Sequence, residues 1–184
     1  MCAAAVRARP ALSSRRPGDF WSVQGGAQAA GAKASRKAFG DLVERVMSST
    51  GIVLFDAVEA GVPTWLVDVI AGATGQSAST VMDIIGVSPT TFRRKDEAGE
   101  LLPDVAGHRV MGLLRVAATL RRLLEESGDP ELLKAVDLDA WLADWMHEPL
   151  PELGRRTPAE LLRNPEGLRA VEQVLERMRG GLPA

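Results

Sequence analysis

The chain has 184 residues, 46% of them hydrophobic and 25% charged, which is enough for one ordinary domain or two small ones with a buried core. One cysteine and two histidines leave neither an internal disulfide nor a metal-ligand spacing, and no apolar run is of membrane-spanning or signal-peptide kind. The formal net charge of −2 hides an asymmetry, because residues 1–38 hold seven Lys/Arg and a single acid; any nucleic-acid contact has to be local and not a property of overall charge.

Residues 1–38 are rich in Ala, Gly, Ser, Arg and Pro and show no periodic apolar pattern to repay the entropy of ordering a backbone. They are expected to form a flexible basic tail: a solvated extension, a start codon placed too early, or an arm on DNA phosphates. The aromatic pair Phe20-Trp21 within it has no role that the sequence explains.

From Phe39, a stripe of Leu42, Val43, Val46 and Met47 predicts a first helix,. A second, carrying Leu54, Phe55 and Val58, spans about residues 52–60 and ends at Gly61 before Pro63,. Thr64 is placed to cap a third, with Trp65, Leu66, Val69 and Ile70 facing inward,. Strand-like alternation of useful length is absent, so the expected fold is all-α.

The segment from Gln76 to Lys95 reads as a helix-turn-helix. Val81, Ile84 and Ile85 supply the packed side of its first helix, and Gly86 suits the positive φ of a tight turn,. Ser88 then caps the second helix, with Pro89 at its first position,.

At about 100° per residue, Thr90, Arg93, Arg94 and Glu97 fall on one side of that helix and Phe92 on the other. A short helix held this way fits a major groove, where arginine reads guanine and threonine meets a thymine methyl or a phosphate. Ser88, Thr90, Thr91, Arg93, Arg94 and Lys95 are therefore the candidate DNA-binding residues. A solvated charged face on a core helix gives the same pattern.

A long helix follows from about Asp104 to Glu126, with Val110, Leu113, Ala117, Leu120 and Leu124 at steps of three and four. That seam suits burial within the chain and a dimer contact equally well. Ser127-Gly128-Asp129-Pro130 marks the expected boundary between a unit at 39–127 and another at 128–184,.

In the second unit Leu138, Trp141, Leu142 and Trp145 share a helical stripe ahead of a proline-rich bend. Thr157-Pro158-Ala159-Glu160 is a capping box,. Asn164-Pro165 repeats the cap-then-proline device, and Leu168, Val171, Leu175 and Met178 continue as one apolar face until Gly180-Gly181,. Glycine-rich phosphate loops are missing, and His108 and His147 have no Ser or Cys partner near in sequence,. No enzyme, cofactor, metal site or small-molecule substrate is expected.

The submotifs Trp145-Met146-x-x-Pro149-x-Pro151-x-Leu153-Gly154, Arg156-Thr157-Pro158-x-Glu160-Leu161-Leu162, Glu166-Gly167, Val171-Glu172 and Leu175-x-Arg177, in that order, resemble the toxin-binding domain of the Xre/MbcA/ParS antitoxin family. Gly61-Val62-Pro63, Gly86-Val87-Ser88 and Thr91-Phe92-x-Arg94 are similar to its Xre-like helix-turn-helix half. Two departures fall in the bend: Leu150 stands where asparagine is usual, and Arg155 where a second glycine is usual.

The resemblance implies an Xre-like helix-turn-helix domain for DNA binding and dimerisation, followed by a small helical toxin-binding domain. It further implies a cytoplasmic antitoxin of a type II pair that neutralises a RES-domain, NAD⁺-consuming toxin by covering its active site. As a homodimer it is expected to repress its own operon through promoter DNA. Trp145, Leu153, Gly154, Arg155, Arg156 and Thr157 are the expected toxin-facing residues, and Gly180, Gly181, Leu182, Pro183 and Ala184 the plug that obstructs nucleotide access. The alternatives are a stand-alone transcriptional regulator whose C-terminal unit only oligomerises, and an inhibitor with a vestigial helix-turn-helix.

Overall fold

The computed structural model describes residues 17–23, 31–126 and 138–179. The expected plug, Gly180 to Ala184, and the boundary at Ser127-Pro130 lie outside the described residues. Among those described, the fold is all-α: nine α-helices, with two isolated backbone bridges, Pro63 to Leu101 and Leu150 to Arg156, in place of any sheet.

Helices α1 (Ala32–Ser48) and α3 (Leu66–Thr74) form the first layer. Ala38, Phe39, Leu42 and Val46 recur on one face of α1 and are buried together with Leu66, Val69, Ile70 and Ala73 of α3. Helix α2 (Gly51–Glu59) buries only Ala57 completely, and its Phe55 is 60% exposed although it belongs to the stripe that predicts the helix.

Thr64 does not cap α3. The helix starts one residue later than expected, at Leu66, and the Thr64 hydroxyl instead donates to Asp96 Oδ1 at 2.8 Å.

Helices α4 (Ala78–Ile85) and α5 (Pro89–Glu97) form the helix-turn-helix. The 23-residue α6 (Asp104–Glu126) crosses behind them and packs on α1, α2 and α4. Its seam, Val110, Leu113, Ala117 and Leu120, is buried inside this chain. Spacing left open a dimer contact there; the seam is already covered by the helices around it.

The C-terminal half consists of α7 (Leu138–His147), a 3-10 turn (Pro151–Leu153), α8 (Pro158–Leu161) and α9 (Pro165–Arg179). Helix α9 turns Val171, Val174 and Leu175 inward, while Met178, expected on that face, is largely exposed. Helix α7 packs on α3 and α9 on α6. One continuous apolar cluster therefore runs from Phe20 through α6 to Leu175, joining the two expected units in a shared core.

Gly167 is required where α9 meets α8, because a Cβ there would run into the Leu161 carbonyl.

The largest departure from the sequence reading is at the N-terminus. Helix α1 begins at Ala32 and not near residue 38, and Pro17–Trp21 forms a 3-10 turn whose Phe20 and Trp21 are buried. The Trp21 indole N–H donates to the Ala57 carbonyl at 2.9 Å, and Arg45 donates to the Ser22 carbonyl at 3.1 Å. Two aromatic rings packed edge to face at 4.9 Å, bury enough apolar area to hold a segment whose composition alone reads as tail.

Candidate functional site

Two surfaces gather the candidate residues. The first is the bend that joins α7 to α8. Its backbone closes on itself: the Leu150 N–H donates to the Arg156 carbonyl at 3.1 Å, and the N–H groups of Leu153 and Arg155 both donate to the Leu150 carbonyl, at 3.1 and 2.9 Å.

Closure this tight needs left-handed backbone at two consecutive positions, Gly154 (φ 66°) and Arg155 (φ 61°). Arg155 is the only non-glycine residue with positive φ among those described. The departure from the family pattern thus falls on a strained position, and Leu150, the other departure, packs its side chain against the core.

Thr157 then starts α8. Its Oγ1 accepts the Glu160 N–H at 3.2 Å while Glu160 Oε2 accepts the Thr157 N–H at 3.0 Å, a complete capping box,. Asn164 Oδ1 accepts the Gly167 N–H at 2.8 Å at the start of α9. Both caps stand where the sequence places them, and they fix the direction in which the bend points.

On this frame Gly154, Arg155 and Arg156 are exposed. Neither guanidinium of the arginine pair makes an ion pair within the described residues. Trp145 and Leu153 are buried in the chain's own core, so they support the bend from beneath and do not themselves present a face.

Trp141, which its stripe assigns to the core, is instead 37% exposed and stacks on Trp145 at 6.1 Å. Exposed tryptophan and arginine are the residue types that carry disproportionate binding energy where proteins meet.

The second surface is α5. Ser88 Oγ accepts the Thr91 N–H at 3.2 Å, Pro89 occupies the first helical position, and Gly86 takes φ 71° in the turn. Phe92 packs against the core and no residue of α5 is fully buried, so the helix stands proud of the body.

Thr90, Arg93 and Arg94 are exposed on α5. Lys95 is tied to Glu100 at 3.0 Å, and this bond, with the Arg94 charge nearby, holds the Glu100 carboxyl below its ordinary range. On the inner side, desolvation and then the Asp96 carboxylate push Asp68 up.

Among the described residues, no group of three His, Cys, Asp or Glu gathers as a metal site, and no helix is long and apolar enough to cross a membrane.

Residues 128–181 match the Antitoxin Xre/MbcA/ParS C-terminal toxin-binding domain. The segment is similar to that domain of the Xre/MbcA/ParS antitoxins. The bend, the capping box, the exposed Trp141 and the arginine pair all lie within the matched residues. Over 101 residues the chain is also 30% identical to the Prs ADP-ribosylating antitoxin of Sphingobium sp. (strain YBL2). That alignment takes in 55% of this chain and 62% of the relative, so the chain spans somewhat less than two thirds of the protein it resembles.

Proposed function

We propose that this protein is the antitoxin of a type II pair, which binds a RES-domain toxin through its C-terminal domain and its own promoter through α5. The observation that carries the reading is the toxin-binding match over residues 128–181, laid over a surface where Trp141, Arg155 and Arg156 are open to a partner. It acts by binding and not by catalysis. Arg156 meets a carboxylate of the toxin, and the segment Gly180-Gly181-Leu182-Pro183-Ala184 obstructs nucleotide access to its cleft.

The Sphingobium relative is named for ADP-ribosylation of Prs, a transfer that takes ADP-ribose from NAD⁺ and releases nicotinamide. A toxin that consumes NAD⁺ fits that chemistry. Operator binding uses Thr90, Thr91, Arg93 and Arg94, with Ser88 holding the helix start and Lys95 at the edge. The homodimer expected on DNA pairs through a face other than the α6 seam, which is buried within one chain.

The test is co-expression with the product of the adjacent gene, followed by co-purification and an NAD⁺ consumption assay with the full chain, with residues 128–184 removed, and with 180–184 removed. Capture and inhibition are expected to require 128–184, and loss of 180–184 is expected to weaken inhibition while capture persists. Absence of capture by the full chain overturns the reading. A second reading, a stand-alone helix-turn-helix regulator whose C-terminal domain oligomerises, draws on the open face of α5; sequence-specific operator binding with no toxin capture is its signature.

A further inference from the structure

Between α2, α6 and the start of α9 lies a groove of about 710 Å³. Its floor is apolar, formed by Leu54, Phe55 and Val58 of α2, Val105 and Met111 of α6 and Leu168 of α9. Phe55 and Val105 are 60% and 61% exposed, and large apolar side chains left in water around a concavity mark a contact face. The two walls meet at Gly112, where a Cβ would stand 3.1 Å from Leu168 Cδ2; this close approach holds α9 against α6 and keeps the groove's shape.

Every ionisable side chain that lines the groove is basic: His108, Arg109, Arg115 and Arg163. Glu172 satisfies Arg115 at 2.7 Å, whereas Arg163 has no ion pair within the described residues. Arg109 donates from Nη1 to the Ile85 carbonyl at 3.0 Å, yet its Nε is buried with no acceptor among the described residues. A carboxylate is the group that most favourably satisfies a guanidinium, by charge-assisted and bidentate hydrogen bonds.

We propose that this groove is a second half of the toxin-binding surface, taking from the toxin an amphipathic segment with apolar side chains on one face and carboxylates beside them. The inference rests on the antitoxin reading. One wall, Leu162 to Leu168, lies within the toxin-binding match at 128–181, and the other, α2 and α6, lies outside it. The surface that grips the toxin therefore continues beyond the C-terminal domain.

Charge selects the occupant. Pairing two copies across a two-fold axis on this face brings the basic lining of one groove against that of the other,, and like charges brought together disfavour the contact. An acidic partner meets no such repulsion.

The test measures affinity of the full chain for the adjacent-gene product by calorimetry at about 50 and about 300 mM NaCl, for the parent, Phe55→Ser, Arg163→Glu and Arg163→Lys. Both Phe55→Ser and Arg163→Glu are expected to weaken binding by about tenfold or more, with helical content and melting temperature unchanged. Arg163→Glu also flattens the salt dependence, and Arg163→Lys restores most of the affinity. If the parent binds and both weakened variants stay within about twofold of it, the groove is overturned and the antitoxin reading stands. If Phe55→Ser leaves toxin affinity intact but dissociates a dimer in sedimentation, the occupant is a second copy and the proposal fails. A parent that captures no toxin removes both.

Discussion

Arg155 occupies left-handed backbone where a side chain crowds the following carbonyl, at a cost of about 1–2 kcal/mol,. Glycine escapes that penalty but loses more freedom on folding, about 0.5–1 kcal/mol. Arg155→Gly is therefore expected to stabilise the protein by up to about 1 kcal/mol, visible as a melting temperature higher by a few degrees. The same change deletes a guanidinium from the bend, so toxin capture is expected to weaken as stability rises. Capture that holds or strengthens would remove Arg155 from the interface. The family resemblance in the sequence made this position legible, since it implies a glycine there. What it did not disclose is that the arginine keeps the glycine's conformation instead of opening the turn, because the three backbone hydrogen bonds around Leu150 that enforce it exist only once the bend has closed.

At the scale of the element, α5 carries the DNA reading. Replacing Arg93 and Arg94 together with alanine is expected to abolish operator retention in a mobility-shift assay and leave toxin capture unchanged, each lost base contact costing about 1–3 kcal/mol. Retention of sequence-specific binding by the double variant moves the DNA site elsewhere. The starts of α5, α8 and α9 were legible because caps are local: Ser88-Pro89, Thr157-Pro158 and Asn164-Pro165 settle them within four residues. Which side of a helix finds a neighbour is not local. The α6 seam suited a second chain and its own chain equally until the surrounding helices covered it, and Phe55 and Trp141 share stripes with core residues yet face water. Periodicity reports that an apolar face exists, not what covers it.

For the whole molecule, the N-terminal turn acts as a clasp across the end of α2. Trp21 is buried, donates its indole N–H to the Ala57 carbonyl, and packs edge-on with Phe20. Trp21→Ala is expected to cost about 3–5 kcal/mol, measured by denaturant unfolding; a loss below about 1 kcal/mol would show that the clasp is dispensable. Nothing in the sequence exposed this clasp, since a single aromatic pair among Ala, Gly and Arg has no period to detect. The shared core that joins both halves across α6 was likewise hidden, because a boundary read from the composition of Ser127-Gly128-Asp129-Pro130 does not say whether the segments on its two sides pack together. Of the four tryptophans, Trp21 and Trp145 are buried, Trp65 is partly covered, and Trp141 is exposed on α7, ahead of the bend. The chain therefore has an optical reporter built in. A water-borne quencher such as iodide is expected to dim the Trp141 indole most, and a toxin bound as proposed is expected to shield it, so docking would be followed in real time with no label attached.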